Sequence, residues 1–150
     1  MAVVSVTRLH LRSLRFLPAF AWLTRSTNRQ VRSSAGFIHG QFANEWPYAF
    51  WTMTVWQNLA AMHGFRDTGP HRTAMKKLLH WCDEASFVHW ESEETALPAV
   101  TDAHARLASA GRASKVNHPS AAHRSGRTAS TRVPMAGPMI KPEPRGERSG

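Results

Sequence analysis

The residue best suited to acid–base chemistry is His71, which follows Pro70 at the predicted start of a helix. The first backbone N–H groups of a helix have no partner within it, and the helix dipole favours negative charge at that end. This position disfavours a protonated imidazole, so we expect a lowered His71 pKa and a neutral side chain near pH 7. A neutral histidine suits a general base that contacts a phenolic or quinone-like ligand. The alternative is that His71 only caps the helix or packs near its start.

The other residues that could bind a metal or a cofactor do not have the spacing that such sites require. Four histidines lie on predicted strands and helices without a second His or Cys at metal-ligand spacing: His39, His63, His80 and His89. His71 and Met75 form an HxxxM pair, which helical core packing explains equally well. The sequence also lacks a Ser-His-Asp pattern, a glycine-rich phosphate loop and a GxGxxG motif. It therefore supports no metal site, no hydrolase and no dinucleotide-dependent enzyme.

The elements that must position these residues follow from hydrophobic periodicity. Strands are predicted over residues 3–11, 37–42, 48–56 and 86–91, where β-branched and aromatic residues predominate. Helical spacing predicts one helix over residues 16–32 and a second helical region over residues 57–82, which is interrupted at 67–70. The order β-α-β-β-α-β indicates an α+β fold of the ferredoxin-like type.

Three regions are expected along the chain. Residues 1–94 form the ferredoxin-like domain, and residues 95–119 form an extension with a short helix that ends before Gly111. Residues 120–150 are rich in Ser, Ala, Arg, Gly and Pro, with few large apolar side chains. Such a composition buries too little surface to offset the entropy of ordering, so we expect a disordered basic tail.

Composition limits the class of protein. With 150 residues and 42% hydrophobic content, the chain can build one moderate core. Cys82 is the only cysteine, which excludes an intrachain disulfide and favours a cytoplasmic protein. The acid-free first 44 residues are also typical of a targeting peptide, although the predicted strand and helix use the same residues. No transmembrane helix is predicted.

The third predicted strand is apolar on both faces. Trp51, Met53 and Val55 point to one side of this strand, while Phe50 and Trp56 point to the other. A sheet that is apolar on both sides must be covered on both sides. We therefore expect its own helices on one face and the sheet of a second subunit on the other, which predicts a homodimer. The alternative is a monomer with one wet face.

Three consecutive stretches, FWTMTVW, LAAMHGF and GPHRTAMKKLLHWCDEASFVHWE, resemble the antibiotic biosynthesis monooxygenase type of dimeric α+β barrel. The likeness extends over residues 3–94 and includes the spheroidene monooxygenase-like proteins of that group. It implies two ferredoxin-like subunits whose sheets form a barrel, each subunit having a cavity between its sheet and its helices. Members of the family include oxygenases of polycyclic phenols that use no cofactor, haem-degrading relatives, and many proteins without an assigned reaction.

The resemblance places three residues at positions that haem-degrading relatives use. Those relatives have an asparagine on the first strand, a tryptophan on the second helix and a histidine ligand ten residues later. The corresponding residues here are Thr7, Phe65 and Met75, and none of them matches. We therefore expect no cofactor, with weak haem binding left open.

The expected function combines these observations. The ligand cavity is predicted to be lined by Thr7, Trp51, Phe65 and Met75, with His71 as the catalytic residue. It would bind a small apolar or aromatic ligand and act as a monooxygenase, without a cofactor, on an aromatic or isoprenoid-derived substrate. The alternatives are a binding or structural dimer without catalysis, and a basic protein that associates with anionic membranes or nucleic acid. No recognised nucleic-acid motif accompanies the basic residues, so specific nucleic-acid binding is not expected.

Overall fold

The computed structural model describes residues 1–144, and its element order agrees with the predicted one through β4. The strands are β1 (Ala2–Leu11), β2 (Phe37–Glu45), β3 (Ala49–Trp56), β4 (Cys82–Ser92), β5 (Arg112–Ala113) and β6 (Met135–Ile140). The helices are α1 (Leu17–Arg32), α2 (Leu59–Arg66), α3 (Gly69–Trp81), α4 (Val100–Ala110) and α5 (Ala121–Arg124). A short 3-10 turn, Leu14–Phe16, precedes α1.

All strands belong to one antiparallel sheet with the order β5-β4-β1-β3-β2-β6. The first four predicted strands are its central strands, and β1 pairs with both β3 and β4. Each of the two crossovers within this unit contains helices, α1 in the first and α2 with α3 in the second. The predicted α+β, ferredoxin-like fold is therefore confirmed.

Local signals explain where the helices begin and end. The side chain of Asn58 accepts the Ala61 N–H at 2.9 Å and so caps the start of α2. After α1 the chain turns at Gly36, which has a φ of +80°. A Cβ added there would lie only 2.5 Å from the Ala61 Cβ. The glycine therefore permits both the turn and the close approach of α2 to it.

The strand register separates two apolar faces of the sheet. On one face, Val6 lies opposite Met53 and Val88, and these side chains pack against Ala103 and Leu107 of α4. We call this side the C-terminal face. On the other side, the α1–α3 face, strand residues pack against residues of α1 and α2 in a second buried cluster: Val3, Phe37, Trp56, Val31 and Met62.

The predicted disordered tail is wrong for residues 120–144. Within them, β6 extends the sheet by pairing with β2, and the Ile140 side chain is buried against the cluster that contains Val3 and Trp56. The Glu143 N–H then donates to the Arg32 carbonyl at 2.9 Å. Few apolar residues are sufficient because this segment adds to an edge that the domain has already formed. The rest of the predicted tail, residues 145–150, lies outside the described residues.

The C-terminal face is covered by the C-terminal extension of the same chain, which the sequence does not predict. Leu107 and Ala103 of α4, together with Ala129, lie directly over Trp51 and its neighbours. The chain itself therefore covers the apolar face for which a second subunit was expected. The predicted homodimer does not gain support from this face and stays a prediction. Among the described residues, no helix combines the length and apolar character needed to cross a membrane.

Candidate functional site

The His71 side chain is held at the first turn of α3 by hydrogen bonds to neighbouring elements. Its Nδ1 lies 3.0 Å from the Arg66 carbonyl oxygen, and its backbone N–H donates to the Gln30 side-chain oxygen at 2.8 Å. A carbonyl oxygen only accepts, so Nδ1 carries the proton and donates it. The neutral imidazole therefore has its lone pair on Nε2, which is the atom able to accept a proton.

Burial lowers the His71 pKa below its ordinary value because the protonated ring would lose solvation. The hydrogen bond to the Arg66 carbonyl opposes this change, while the nearby Arg66 charge adds to it. The direction agrees with the expectation from the sequence. The main cause is desolvation of the ring and not the helix terminus from which the lowered pKa is expected.

Gln30 fixes the geometry around His71. Besides accepting from the His71 backbone, its side-chain NH₂ donates to the carbonyl oxygens of Phe65 at 3.1 Å and of Thr68 at 2.8 Å. One side chain of α1 thus holds the end of α2 and the start of α3 together. Sequence reasoning missed Gln30, since its partners lie 35 to 41 residues away and no local pattern identifies them.

A row of aromatic rings connects His71 to the sheet. The His71 ring centroid lies 4.6 Å from that of Phe65, and the Phe65 centroid lies 5.3 Å from that of Trp56 on β3. Trp56 also packs edge-on against Phe37, with centroids 5.4 Å apart. These contacts give the imidazole a largely apolar surrounding, which is consistent with its lowered pKa.

A groove of about 380 Å³ lies beside this row of rings. Most of its lining residues are small, and Phe65 is its one aromatic side chain: Ser34, Ala35, Ala60, Ala61, Gly64, Phe65 and Thr68. Its volume is in the range of small-molecule sites. Phe65 lines the groove and contacts His71, whereas His71 itself is not among the lining residues. A ligand in the groove would therefore contact Phe65, with the imidazole behind that ring.

The five predicted site residues do not share one cavity. Phe65 and His71 are in contact, whereas Thr7 lies half-buried on the α1–α3 face between Thr52 and Phe87. Met75 is 46% exposed on α3, so core packing does not explain its spacing from His71. Trp51 belongs to the opposite, C-terminal face of the sheet and is only 1% exposed. The sheet therefore separates Trp51 from His71.

The C-terminal face contains a buried charge network that the sequence analysis missed. The Arg8 guanidinium donates to Glu45 at 2.8 Å and to Glu84 at 2.9 Å. Glu45 also accepts from the Trp51 indole N–H and from the Ser130 hydroxyl, each at 2.7 Å. A signal was available, because Arg8 has the same strand alternation as the apolar Val4 and Val6. Its partners, by contrast, are remote in sequence.

The network shifts the acidity of its members. Burial by itself would raise the pKa of Glu45 and of Glu84, but hydrogen bonds from Arg8 and from serine hydroxyls lower both below their usual value. The two carboxylates are thus ionised partners of a buried cation. Ser130 and Ser120, which belong to the C-terminal segment, donate to Glu45 and Glu84 respectively. The network therefore anchors that segment to the sheet.

One group beside this network has the composition of a metal site. His10, Asp83 and Glu84 could each direct one ligand atom to a common point, since these atoms lie within 4.8 Å of one another. However, His10 already forms a hydrogen bond with Asp83, and Glu84 is paired with Arg8 and Ser120. A cation would compete with the Arg8 guanidinium for the same carboxylate. Hydrogen bonding within the protein thus accounts for the group.

Solved structures with the same fold include several antibiotic biosynthesis monooxygenase-like proteins. A variant of SnoaB, a cofactor-independent oxygenase from Streptomyces nogalater, is 16% identical, with 63% of this chain and 95% of that chain covered and a TM-score of 0.50. A candidate antibiotic biosynthesis monooxygenase from Nitrosomonas europaea is 15% identical, with 61% and 90% covered and a TM-score of 0.56. Rv0793 from Mycobacterium tuberculosis is 10% identical, with 64% and 99% covered and a TM-score of 0.57.

At these identities the likeness establishes the fold alone. No curated protein matches the sequence significantly. A family model does match: the one described as "Domain of unknown function (DUF3291)" aligns with residues 16–118, which is more than half of the chain and contains both His71 and Gln30. The chain therefore belongs to the DUF3291 family, within a fold that it shares with antibiotic biosynthesis monooxygenase-like proteins.

Proposed function

We propose that this protein binds a small aromatic or isoprenoid-derived molecule beside His71 and acts on it as a monooxygenase without a cofactor. The observation that carries the proposal is the state of the His71 imidazole. Its Nδ1–H is fixed on the Arg66 carbonyl, its pKa is lowered, and its ring packs against Phe65 next to the groove. A neutral base next to an apolar surface is what proton abstraction from an aromatic substrate requires.

The chemistry that such a base supports can be written without another redox partner. The step requires that an acidic CH₂ group of an electron-rich substrate reach past Phe65 to hydrogen-bond distance of His71 Nε2. Nε2 then takes a proton from that group, and the resulting carbanion attacks O₂ to give a peroxide on that carbon. The second hydrogen of the carbon then leaves as a proton while the O–O bond breaks. One oxygen atom stays as a carbonyl group, the other leaves as water, and the substrate supplies the electrons.

Two findings support this proposal beyond His71. The fold neighbours include one protein described as a cofactor-independent oxygenase. The groove beside Phe65 also has a volume in the range of small-molecule sites. The isoprenoid-derived substrate rests on the spheroidene monooxygenase-like resemblance of the sequence. Thr7 and Met75 give no additional support, since Thr7 lies in the sheet between Thr52 and Phe87 and Met75 is 46% exposed.

The proposal needs neither haem nor a second subunit. Of the three positions used by haem-degrading relatives, Met75 is largely exposed and Phe65 offers no ligand atom. The homodimer and the binding of haem remain separate predictions, which light scattering and an absorbance scan with added haem would test.

The test is oxygen uptake by the wild-type protein and by His71→Gln with anthrone, which has the acidic CH₂ group that the step requires. Loss of a general base lowers kcat by about 100-fold or more, with little change in ligand affinity measured by tryptophan fluorescence. The matched control is His89→Gln, because His89 is exposed on β4. Ligand binding without any oxygen uptake by the wild type would instead support a non-catalytic binding protein. Equal turnover by wild type and His71→Gln would overturn the assigned role of His71.

A further inference from the structure

Basic residues are concentrated in the helices of the α1–α3 face. We call residues 14–34 and 59–81, which contain the 3-10 turn and α1 to α3, the helical layer. This layer has eight basic residues: Arg15, Arg25, Arg29, Arg32, Arg66, Arg72, Lys76 and Lys77. Of the ten Asp and Glu residues in the chain, only Asp67 lies within it. The outer surface of the layer therefore has a strongly positive potential.

Most of these cations are available to an external anion. Asp67 is paired with its neighbour Arg66, with Nε and Oδ1 3.0 Å apart. Six further basic side chains of the helical layer are exposed and form no salt bridge with any of residues 1–144: Arg15, Arg25, Arg29, Arg72, Lys76 and Lys77. Apart from the Arg66–Asp67 pair, no salt bridge within residues 1–144 neutralises the cations of the helical layer.

Large apolar side chains are exposed on the same surface. Trp22 on α1 is 71% exposed, and it lines a shallow cleft of about 140 Å³ together with Arg25, Ser26 and Arg29. Leu14, Leu59 and Met75 are also exposed within the helical layer. Tryptophan favours the boundary between lipid headgroups and acyl chains, where its ring is in an apolar medium and its N–H reaches polar groups.

We propose that the helical layer docks on the surface of an anionic lipid bilayer. Trp22 would enter the headgroup region, and the adjacent Arg25 and Arg29 would contact lipid phosphates. Exposed Leu and Met side chains favour a bilayer over a nucleic acid, since aliphatic groups gain little from contact with phosphates and bases. The proposal does not depend on the oxygenase chemistry, because it rests on surface residues only.

The attachment is peripheral and sensitive to salt. The apolar stripe of α1, represented by Phe20, Leu23 and Val31, packs against the rest of the domain and is not available for lipid. Adsorption must therefore rely on Trp22 and on electrostatic attraction, which falls off within a Debye length of the surface.

The experiment is co-sedimentation of the full chain with vesicles of phosphatidylcholine alone and with vesicles in which a third of the lipid is phosphatidylglycerol. Binding is expected only with the anionic vesicles and is lost at high salt. Arg25→Gln with Arg29→Gln should weaken it about 25-fold, since each cationic contact contributes about fivefold. The matched control is Arg124→Gln with Arg127→Gln, an equal change of charge at exposed positions outside the layer. If both double variants lost the same amount of vesicle binding, the net charge alone would explain the attraction. The helical layer would then not be the docking surface.

A second measurement tests the orientation. Lipids brominated near the headgroup should quench the fluorescence of the wild-type protein, and Trp22→Phe should remove most of this quenching. Met135→Ser, at an equally exposed position on β6, should leave it unchanged. The proposal would be contradicted if the full chain did not bind anionic vesicles. It would also be contradicted if, at the same ionic strength, the chain bound a single-stranded oligonucleotide more tightly than the vesicles. All positions changed here are exposed, so circular dichroism should confirm intact folding of each variant.

Discussion

Gln30 on α1 accepts the backbone N–H of His71 on α3 at 2.8 Å, although 41 residues separate them in the chain. The same side chain donates to two carbonyl oxygens at the α2–α3 junction. The position of the candidate base is therefore determined by a neighbouring helix as well as by its own.

Gln30→Ala should lower the free energy of unfolding by about 1 to 3 kcal/mol, because it leaves three backbone groups near His71 without their partner. It should also reduce any activity that depends on the His71 orientation. Urea denaturation followed by circular dichroism measures the first effect. The matched control is Gln57→Ala, an exposed glutamine for which we expect a change within about 0.5 kcal/mol. Equal stability of the two variants would show that the Gln30 contacts contribute nothing.

Arg8→Met should be strongly destabilising. Arg8 is 4% exposed, and its removal leaves the Glu45 and Glu84 carboxylates buried without a cation. Breaking such a network costs about 3 to 5 kcal/mol. Replacing both carboxylates as well, in Arg8→Met with Glu45→Gln and Glu84→Gln, should restore part of the loss. If the triple variant were no more stable than Arg8→Met in urea denaturation, charge burial would not be the cause.

Stability should fall in acid for two reasons. The pKa values of Glu45 and Glu84 are lowered in the folded state. Their contribution to the free energy of unfolding is therefore complete above the ordinary carboxyl pKa of 4.5, and it is lost as the pH falls through the pKa values of the folded state. The His71 pKa is lowered from 6.5, so the unfolded chain binds that proton more readily and stability starts to decline below about pH 6.5. Urea titrations between neutral pH and pH 3 measure both. His71→Gln should remove only the upper part of the decline, and a profile unchanged by this variant would contradict the assignment.

Leu107→Ala should destabilise the whole domain, although Leu107 lies in the C-terminal extension. Its side chain is fully buried against Trp51 and Met53, so truncation leaves a cavity that costs about 2 to 5 kcal/mol. Leu14→Ala, at a position that is 44% exposed, is the control and should have little effect. Thermal unfolding should remain a single transition in both. A separate, earlier transition of the extension in Leu107→Ala would show that α4 is not part of the same cooperative core.

The sequence determined the order of the first four strands and their helices, because hydrophobic period and end signals act over a few neighbouring residues. Asn58 before α2, Gly36 after α1 and Pro70 at the start of α3 are local signals of this kind. The lowered pKa of His71 was also predictable in direction. The main cause of the lowered pKa, burial of the ring, could not be predicted from the sequence, because it depends on which rings pack against the imidazole.

The tertiary structure alone decided what the C-terminal residues do and which side chains meet. Residues 120–144 contain too few apolar groups to fold by themselves, yet Ile140 and Ala129 find apolar surface that the sheet already offers, and Ser130 finds the buried Glu45 carboxylate. The Arg8 pairing joins residues 37 and 76 positions apart, and the Gln30–His71 contact joins residues 41 apart. Such contacts cannot be predicted from local sequence, since they stabilise the protein only after folding has brought the distant elements together.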